Sequence, residues 1–491
     1  MDIDSVGHIM TGCDNDLEKD LDPFIPENCL LIAADLVRTL SVEGPARPAH
    51  AGEVKAVVAA RHGALPTGPE SAGHGDACGP AAREAVDRTR PDLLPAPASR
   101  VDLSTVVMHH PSRSGTIRPL LDRLAPLAPR LVTDPEPEGP RSPLRTAKHA
   151  WRAVAEGATH HLVLQDDVEI CQDFAEHLLS AVRARPSDVI ALYVNADSPS
   201  NSYAVRHAAA VGAPWAELVP GEFVPTLGLV MPAPAAVRLA DFLDALPDRL
   251  RDDDAFVDVF CRLSDLRVTA TVPNLLEHGA GLSAAGNDGH GARRSTVFLP
   301  SWERADDYWD EPPAGDRGAP MRATGSAEPH YAVSVRAAQC VVRFLHAADA
   351  HPLRQPCAAW RLVCATTGTP VDAVLAGLAE HLRTPAGADA VDRAAALGLP
   401  AEHVVELWAA GYLLGADALD PHKRPAPRPQ RPGLLRRCRE RAVDSWIDSG
   451  FLTAVPSADR PEARTLLTAL ALAAVDRARP LPHDGGARGD A

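Results

Sequence analysis

The sequence predicts an α/β fold built on a mostly parallel sheet, followed by a separate all-α domain. Between residues 101 and 310, short apolar segments typical of strands alternate with segments of helical periodicity. Such alternation is typical of parallel sheets covered by helices. From residue 329 to residue 480, Ala and Leu recur at helical spacing, which indicates a helical accessory domain.

Each element of the α/β part has its own signal. Aliphatic runs predict strands at 104–110, 130–134, 160–167 and 188–195, and amphipathic periodicity predicts helices at 115–127, 143–157 and 174–185. In the helix 143–157, the apolar stripe is formed by Ala147, Ala150, Trp151 and Val154. Because binding sites form at the carboxyl ends of parallel strands, the end of strand 160–167 is a candidate site.

The segments outside these two parts have the composition of linkers. Residues 1–100 are predicted to form an N-terminal extension that is partly a disordered linker, since residues 41–100 are rich in Pro, Gly and Ala. A second linker is predicted at 311–328 and a disordered tail at 481–491. The helices of 329–480 are predicted to bind a protein partner or to form a homo-oligomer.

Composition restricts the location and the partners that we expect. The net charge of -16 disfavours nucleic acid as a partner, because phosphate binding needs clustered positive charge. The 9 cysteines include no C-x-x-C pair, which favours reduced thiols over disulfides or structural zinc. No secretory signal and no apolar run of about 20 residues is present, so we expect a cytoplasmic protein without a membrane span.

Two adjacent acids, Asp166 and Asp167, end the strand in the segment HHLVLQDDVEI (160–170). They are either solvated loop residues or ligands of a divalent metal that also binds substrate phosphates. A response-regulator receiver is disfavoured because no lysine follows before Lys423, and a phosphoaspartyl hydrolase because the first strand does not end in Asp-x-Asp. A Walker-type ATPase is disfavoured because the phosphate loop is missing.

The segment 160–170 resembles the LEDDV-like strand end of the family 25 (lipopolysaccharide-type) glycosyltransferases. The preceding helix and the segments 221–243 and 252–287 are similar to the corresponding segments of those enzymes in order and spacing. Over residues 101–300 the resemblance implies a Rossmann-like domain of GT-A type. It also implies a bacterial-type glycosyltransferase that uses Mn²⁺ or Mg²⁺ and moves a sugar from a nucleotide-diphosphate donor to an unknown acceptor.

The resemblance also implies roles for single residues. Asp167 takes the position of the metal ligand, and Asp166 that of its partner toward the donor. His278 is a further metal ligand or, alternatively, a histidine beside a Gly-rich turn. Gln165 occupies the donor-contacting position at which the family has an acid, so a non-catalytic scaffold of the same fold is the alternative.

An inverting transferase also needs a carboxylate that accepts the proton of the acceptor hydroxyl. Asp254 and then Asp253 are the candidates, since both lie at the start of a predicted helix near residue 255. The alternative is that these acids cap the helix and compensate its dipole.

Basic residues near the first strand are candidates for contact with the donor. These are His109 and His110 at the end of that strand and Arg113 after it, and the alternative is an ordinary loop in which Ser112 or Ser114 caps the next helix. Lys148, on the helix before the acidic strand, either approaches a donor phosphate or lies on a solvated helix face.

Overall fold

The computed structural model describes most of the chain between residues 100 and 479. The described residues are 100–247, 250–279, 281, 293–311, 313, 330–345, 357–364, 369–420, 432–452 and 455–479. The predicted N-terminal extension, linker and tail lie outside them, except for residues 100, 311 and 313. No helix in the described ranges is long and apolar enough to cross a membrane.

The α/β part contains nine strands and six α-helices in the described residues. The strands are β1 (Leu103–His109), β2 (Arg130–Thr133), β3 (His160–Gln165), β4 (Val168–Ile170), β5 (Val189–Ala191), β6 (Trp215–Glu217), β7 (Gly228–Pro232), β8 (Val268–Thr271) and β9 (Leu276–His278). The helices are α1 (Arg118–Leu124), α2 (Pro143–Arg152), α3 (Phe174–Ala184), α4 (Asn201–Val211), α5 (Ala233–Asp244) and α6 (Asp254–Leu263).

Seven strands form one mixed sheet in the order β2-β1-β3-β7-β5-β8-β6. Strands β1, β2, β3, β5 and β8 run in one direction, whereas β7 and β6 run in the other. The prediction of a mostly parallel sheet within an α/β fold is therefore confirmed. Val106, Val107 and Leu162 are fully buried, as expected for central strands with both faces covered.

Helix α2 is shorter than predicted, but three of the four residues of its predicted apolar stripe are buried in it. Ala147, Ala150 and Trp151 are buried, and the helix packs against α5. The helix ends at Arg152, five residues earlier than predicted, and the chain turns with Gly157 at a φ of 77°. Val154 therefore lies after the helix and is only half-buried.

A second sheet of two strands is built onto the carboxyl edge of the large sheet. In it β4 pairs antiparallel with β9, and Val168 lies opposite His278. The Gly279 N–H donates to the Asp167 carbonyl oxygen over 2.7 Å. A Cβ on Gly279 would lie only 2.8 Å from that oxygen, so the close approach requires glycine here.

The C-terminal part is not all-α, contrary to the sequence-based prediction. Strands β10 (His330–Arg336), β11 (Gln339–Leu345) and β12 (Cys357–Ala359) form an antiparallel sheet. Six helices accompany it in the described residues: α7 (Trp360–Cys364), α8 (Val371–Leu382), α9 (Pro385–Ala396), α10 (Ala401–Ala418), α11 (Pro432–Gly450) and α12 (Arg460–Arg477).

The β10–β11 hairpin escaped prediction because its turn has no turn-forming residues. Arg336 pairs with Gln339, so the loop is Ala337–Ala338, and these alanines have φ values of 46° and 60°. A two-residue hairpin loop of this hand normally contains Asn or Gly, because both positions require a positive φ. Alternation along YAVSVR and CVVRFL was the available signal for strands.

The C-terminal part packs directly on the α/β part through α4. Tyr203, Arg206 and His207 of this helix are fully buried. The Tyr203 hydroxyl lies 3.1 Å from Asp417 Oδ2 in α10, and Arg206 donates to the Ala442 carbonyl in α11 over 3.1 Å. The helix thus belongs to the cores of both parts.

Replacement of Ala337 by glycine is expected to stabilise the protein. Ala337 is exposed, so the change removes no packing, and it relieves a left-handed conformation that costs an L-residue about 1 kcal/mol. We expect the free energy of unfolding in urea to rise by about 0.5–1 kcal/mol. Ala376→Gly, at an exposed position in the middle of α8, is the matched control and should lower it by about 1 kcal/mol. Destabilisation by both changes would contradict the strained turn.

Candidate functional site

The ends of β1 and β3 bring a basic and an acidic segment together. Met108 of β1 pairs with Gln165 of β3, so the residues that follow each strand are neighbours. After β1 the chain makes a 3₁₀ turn at Pro111–Arg113, and after β3 it continues through Asp166 and Asp167. The carboxyl edge of the sheet is therefore the place where these side chains meet.

The Asp166 carboxylate is the centre of this meeting point. Its Oδ2 lies 2.9 Å from His109 Nδ1 and accepts the His110 backbone N–H over 2.8 Å. Its Oδ1 accepts a 2.5 Å hydrogen bond from Arg113 Nη1. Three groups from the last residue of β1 and the segment after it therefore converge on one buried carboxylate, which holds that segment against the end of β3. The contact of Asp166 with a donor stays a prediction.

Asp167 and His278 are brought together, as the resemblance implied. His278 Nε2 lies 3.4 Å from Asp167 Oδ2, and Arg113 Nη1 lies 3.1 Å from the same oxygen. Both side chains are at most 10% exposed. The pairing of β4 with β9 causes this proximity, because it places His278 beside the residue that precedes Val168.

The His278 ring presents a nitrogen lone pair to this site. Its Nδ1 lies 2.7 Å from the Gly279 carbonyl oxygen, which only accepts, so Nδ1 carries the hydrogen. Burial lowers the pKa of His278, and the nearby Asp167 only partly opposes this effect. The ring is therefore neutral at pH 7, with the lone pair on Nε2. Both His278 Nε2 and Asp167 Oδ1 are buried without a hydrogen-bond partner.

These atoms fit a divalent cation. A carboxylate oxygen and a neutral imidazole nitrogen are suitable ligands, and the 3.4 Å between Asp167 Oδ2 and His278 Nε2 is compatible with one ion at about 2 Å from each. Within the described ranges, no group of three or more His, Cys, Asp or Glu side chains forms a metal site. A cation here would thus take its remaining ligands from water and substrate oxygens, as Mg²⁺ commonly does.

Gln165 and Lys148, two further candidates for contact with the donor, make different contacts. Gln165 is half-buried at the end of β3, and its N–H donates to the Leu227 carbonyl over 3.0 Å. Lys148 is buried, and its ammonium donates to the Leu246 carbonyl over 2.8 Å, just beyond α5. The alternative of a solvated helix face for Lys148 is therefore wrong. The Lys148 ammonium is directed toward the end of α5, and its approach to a donor phosphate stays a prediction.

Asp253 approaches the same edge from another loop. Its Oδ1 accepts the Thr226 hydroxyl over 3.2 Å, and the next residue, Leu227, accepts the N–H of Gln165. Asp253 occupies the N-cap position of α6, yet its side chain makes no capping hydrogen bond, and its Oδ2 is buried without a partner. Thr226 was not predicted, because its contact joins residues far apart in the sequence.

Burial makes Asp253 and Asp254 unusually weak acids. It raises the pKa of Asp253 to about 6. It also raises the pKa of Asp254 to about 7, with added repulsion from Asp253 and Asp252. Such values lie near the pH at which a general base works best. Asp254 is half-buried, and its Oδ1 accepts the N–H of Ala255 over 2.7 Å.

No family model and no curated protein matches this chain. The chemistry of the acidic corner, formed by Arg113, Asp166, Asp167 and His278, is consequently inferred from its geometry. That corner contains a cation, two carboxylates and a neutral imidazole, with two buried acceptor atoms left unpaired.

Replacement of Asp253 by asparagine is expected to stabilise the protein in a pH-dependent manner. The folded-state pKa is raised, so the folded protein holds the proton more tightly than the unfolded chain, and stability falls as pH rises from about 4 to about 7. Asparagine removes this loss and keeps an acceptor for Thr226. The melting temperature of the variant should therefore exceed that of the wild type more at pH 8 than at pH 4.5.

The exposed Asp252 is the matched control, and Asp252→Asn should change the melting temperature far less between the two pH values. An equal effect of Asp253→Asn at both pH values would show that Asp253 ionises in the folded protein as it does in the unfolded chain.

Proposed function

We propose that the chain is a metal-dependent glycosyltransferase that moves a sugar from a nucleotide-diphosphate donor to an acceptor. One observation carries the proposal. Asp167 Oδ1 and His278 Nε2 are buried and lack hydrogen-bond partners, and the other oxygen of the same carboxylate, Oδ2, lies 3.4 Å from Nε2. Buried acceptors without donors are unfavourable, so a bound cation is the natural complement of this pair.

The surroundings of the corner support the proposal. The mostly parallel sheet is compatible with a GT-A type domain, and its acids lie at the carboxyl edge where α/β proteins bind ligands. The resemblance over residues 101–300 supplies the reaction class. The chemistry of the ligands indicates a hard cation such as Mn²⁺ or Mg²⁺, held by Asp167 and His278.

The proposed mechanism divides the work among residues of this edge. A divalent metal, when bound, neutralises the negative charge that develops on the departing diphosphate. Arg113 supplies a second positive charge beside it. Asp253 or Asp254 accepts the proton of the acceptor hydroxyl, so transfer should slow as pH falls through about 6 to 7.

A second candidate function is a non-catalytic scaffold with the same fold. The observation that favours it is the pairing of Arg113 with both Asp166 and Asp167, since this pairing neutralises the carboxylates without a metal. Gln165, at the position of a family acid, agrees with it. A scaffold of this kind would bind neither Mn²⁺ nor a nucleotide at the corner, so metal binding separates the two functions.

The decisive experiment is calorimetric titration of the full chain with Mn²⁺, in the presence of each member of a panel of nucleoside diphosphates. We expect binding of one nucleotide that depends on Mn²⁺. Asp167→Ala should weaken Mn²⁺ binding about tenfold or more, because it removes a ligand.

Glu169→Gln is the matched control, since Glu169 is an exposed acid two residues away. It should bind metal and nucleotide like the wild type. If the panel gives no Mn²⁺-dependent binding, the transferase proposal fails and the scaffold remains.

Arg113→Gln is expected to have opposite effects on the two ligands. In the nucleotide-free protein Arg113 competes with the metal for Asp167, at 3.1 Å from Oδ2. Its removal should strengthen Mn²⁺ binding several-fold and weaken the binding of a nucleoside diphosphate in saturating Mn²⁺. Electron paramagnetic resonance of free Mn²⁺ measures the first effect and calorimetry the second. Unchanged Mn²⁺ affinity would exclude this competition.

A further inference from the structure

A serine, a histidine and an aspartate lie in line at the end of β1. Ser114 follows the 3₁₀ turn, and its Oγ lies 2.9 Å from His109 Nε2. The other ring nitrogen, Nδ1, lies 2.9 Å from Asp166 Oδ2. Ser114 therefore does not cap the next helix, whose N-cap position is Ile117 without a side-chain bond.

The partners of the His109 ring determine where its hydrogen lies. Asp166 Oδ2 also accepts the backbone N–H of His110, so it acts as an acceptor on this side. Nδ1 consequently donates to Asp166, and Nε2 accepts the hydrogen of the Ser114 hydroxyl. This is the arrangement in which a histidine activates a serine as a nucleophile.

The chain contains a second Ser–His contact that serves as a comparison. Ser112 Oγ lies 2.7 Å from His110 Nδ1. The hydrogen-bond partner of the opposite nitrogen of His110 is the Pro137 carbonyl at 3.3 Å and not a carboxylate. The two serines are both exposed and two residues apart, yet only the Ser114 pair is oriented by an acid.

The Ser114 hydroxyl is accessible to a reagent or a substrate. Ser114 and Gly115 are exposed, whereas His109 is 6% exposed beneath them. Apart from Gly115 itself and its two chain neighbours, no described residue has an atom within 4 Å of the position that a Cβ on Gly115 would occupy. A carbonyl group can therefore approach Ser114 from this side while the base stays shielded from water.

We propose that Ser114, His109 and Asp166 form a nucleophilic triad that cleaves small carboxylic esters. Ser114 Oγ attacks the ester carbonyl carbon while His109 Nε2 takes the hydroxyl proton. The carbon–oxygen bond of the ester breaks, and His109 returns the proton to the departing alcohol. Water then releases the acid from Ser114 by the same route. Ser114 and His109 are catalytic residues, and Asp166 is a positioning residue.

This proposal does not depend on glycosyl transfer or on a bound metal. The triad uses the side of Asp166 that faces His109, whereas Asp167 and His278 form the metal pair. Experiments in the presence of EDTA therefore test the triad alone. A negative result there leaves the outcome of the Mn²⁺ titration unaffected.

The test is labelling of the full chain with a fluorophosphonate, located by mass spectrometry, together with hydrolysis of p-nitrophenyl acetate. We expect one labelled residue, Ser114. Ser114→Ala should abolish labelling and hydrolysis, and Ser112→Ala should leave both unchanged. His109→Gln retains a donor toward Asp166 but removes the base, so it should slow labelling at least about 100-fold.

Asp166→Asn separates positioning from general structural damage. It is expected to lower kcat for the ester at least about tenfold, with KM unchanged, in protein whose melting curve shows it to be folded. The proposal is overturned by an unlabelled folded wild type, by labelling that survives in Ser114→Ala, or by a His109→Gln variant that reacts at the wild-type rate.

Discussion

The burial of α4 between the sheet and the C-terminal helices is the constraint on which the rest of the structure depends. Arg206 is fully buried there, and burial lowers its pKa to about 9, so it remains charged at neutral pH. Its hydrogen bonds go to the carbonyls of Ala196 and Ala442 and to the hydroxyls of Ser202 and Ser445. These acceptors belong to both parts of the chain, so the charge is satisfied only when the parts are packed together.

The packing of α4 is linked to the candidate site by backbone contacts of the segment that precedes this helix. Asn195 bridges to Ser295, whose N–H donates to the Glu277 carboxylate over 2.7 Å, and Glu277 precedes His278. Within the described ranges, the C-terminal part therefore contributes no residue to the acidic corner but restrains the strand that carries one. At the acidic corner itself, Asp166 is the buried group that holds other side chains in place, as Arg206 does in α4. One carboxylate orients His109 and holds Arg113, so the Asp167–His278 pair and the serine–histidine pair share a single support.

The parts of the fold that were predicted correctly have a clear local sequence pattern, whereas those that were missed have a weaker one or depend on tertiary contacts. Strand β3 was predictable because its apolar run is buried on both faces. The β10–β11 hairpin was missed because Ala337 and Ala338 adopt positive φ without a residue type that signals it. Lys148 was expected to face a phosphate or solvent, but its long side chain reaches the Leu246 carbonyl. Asp253 holds the N-cap position, yet tertiary packing turns its carboxylate toward Thr226.

The sequence by itself determined the α/β class and the position of Asp166 and Asp167 at the carboxyl end of a strand, because the alternation of strands and helices and the end of an apolar run are visible in local residues. Only the tertiary structure decided which groups these carboxylates meet. The register of β1 on β3 brings His109 and Arg113 to Asp166, and the pairing of β4 with β9 brings His278 to Asp167. Such contacts join segments distant in the chain, and their geometry is set by strand pairing and burial, which no local pattern encodes.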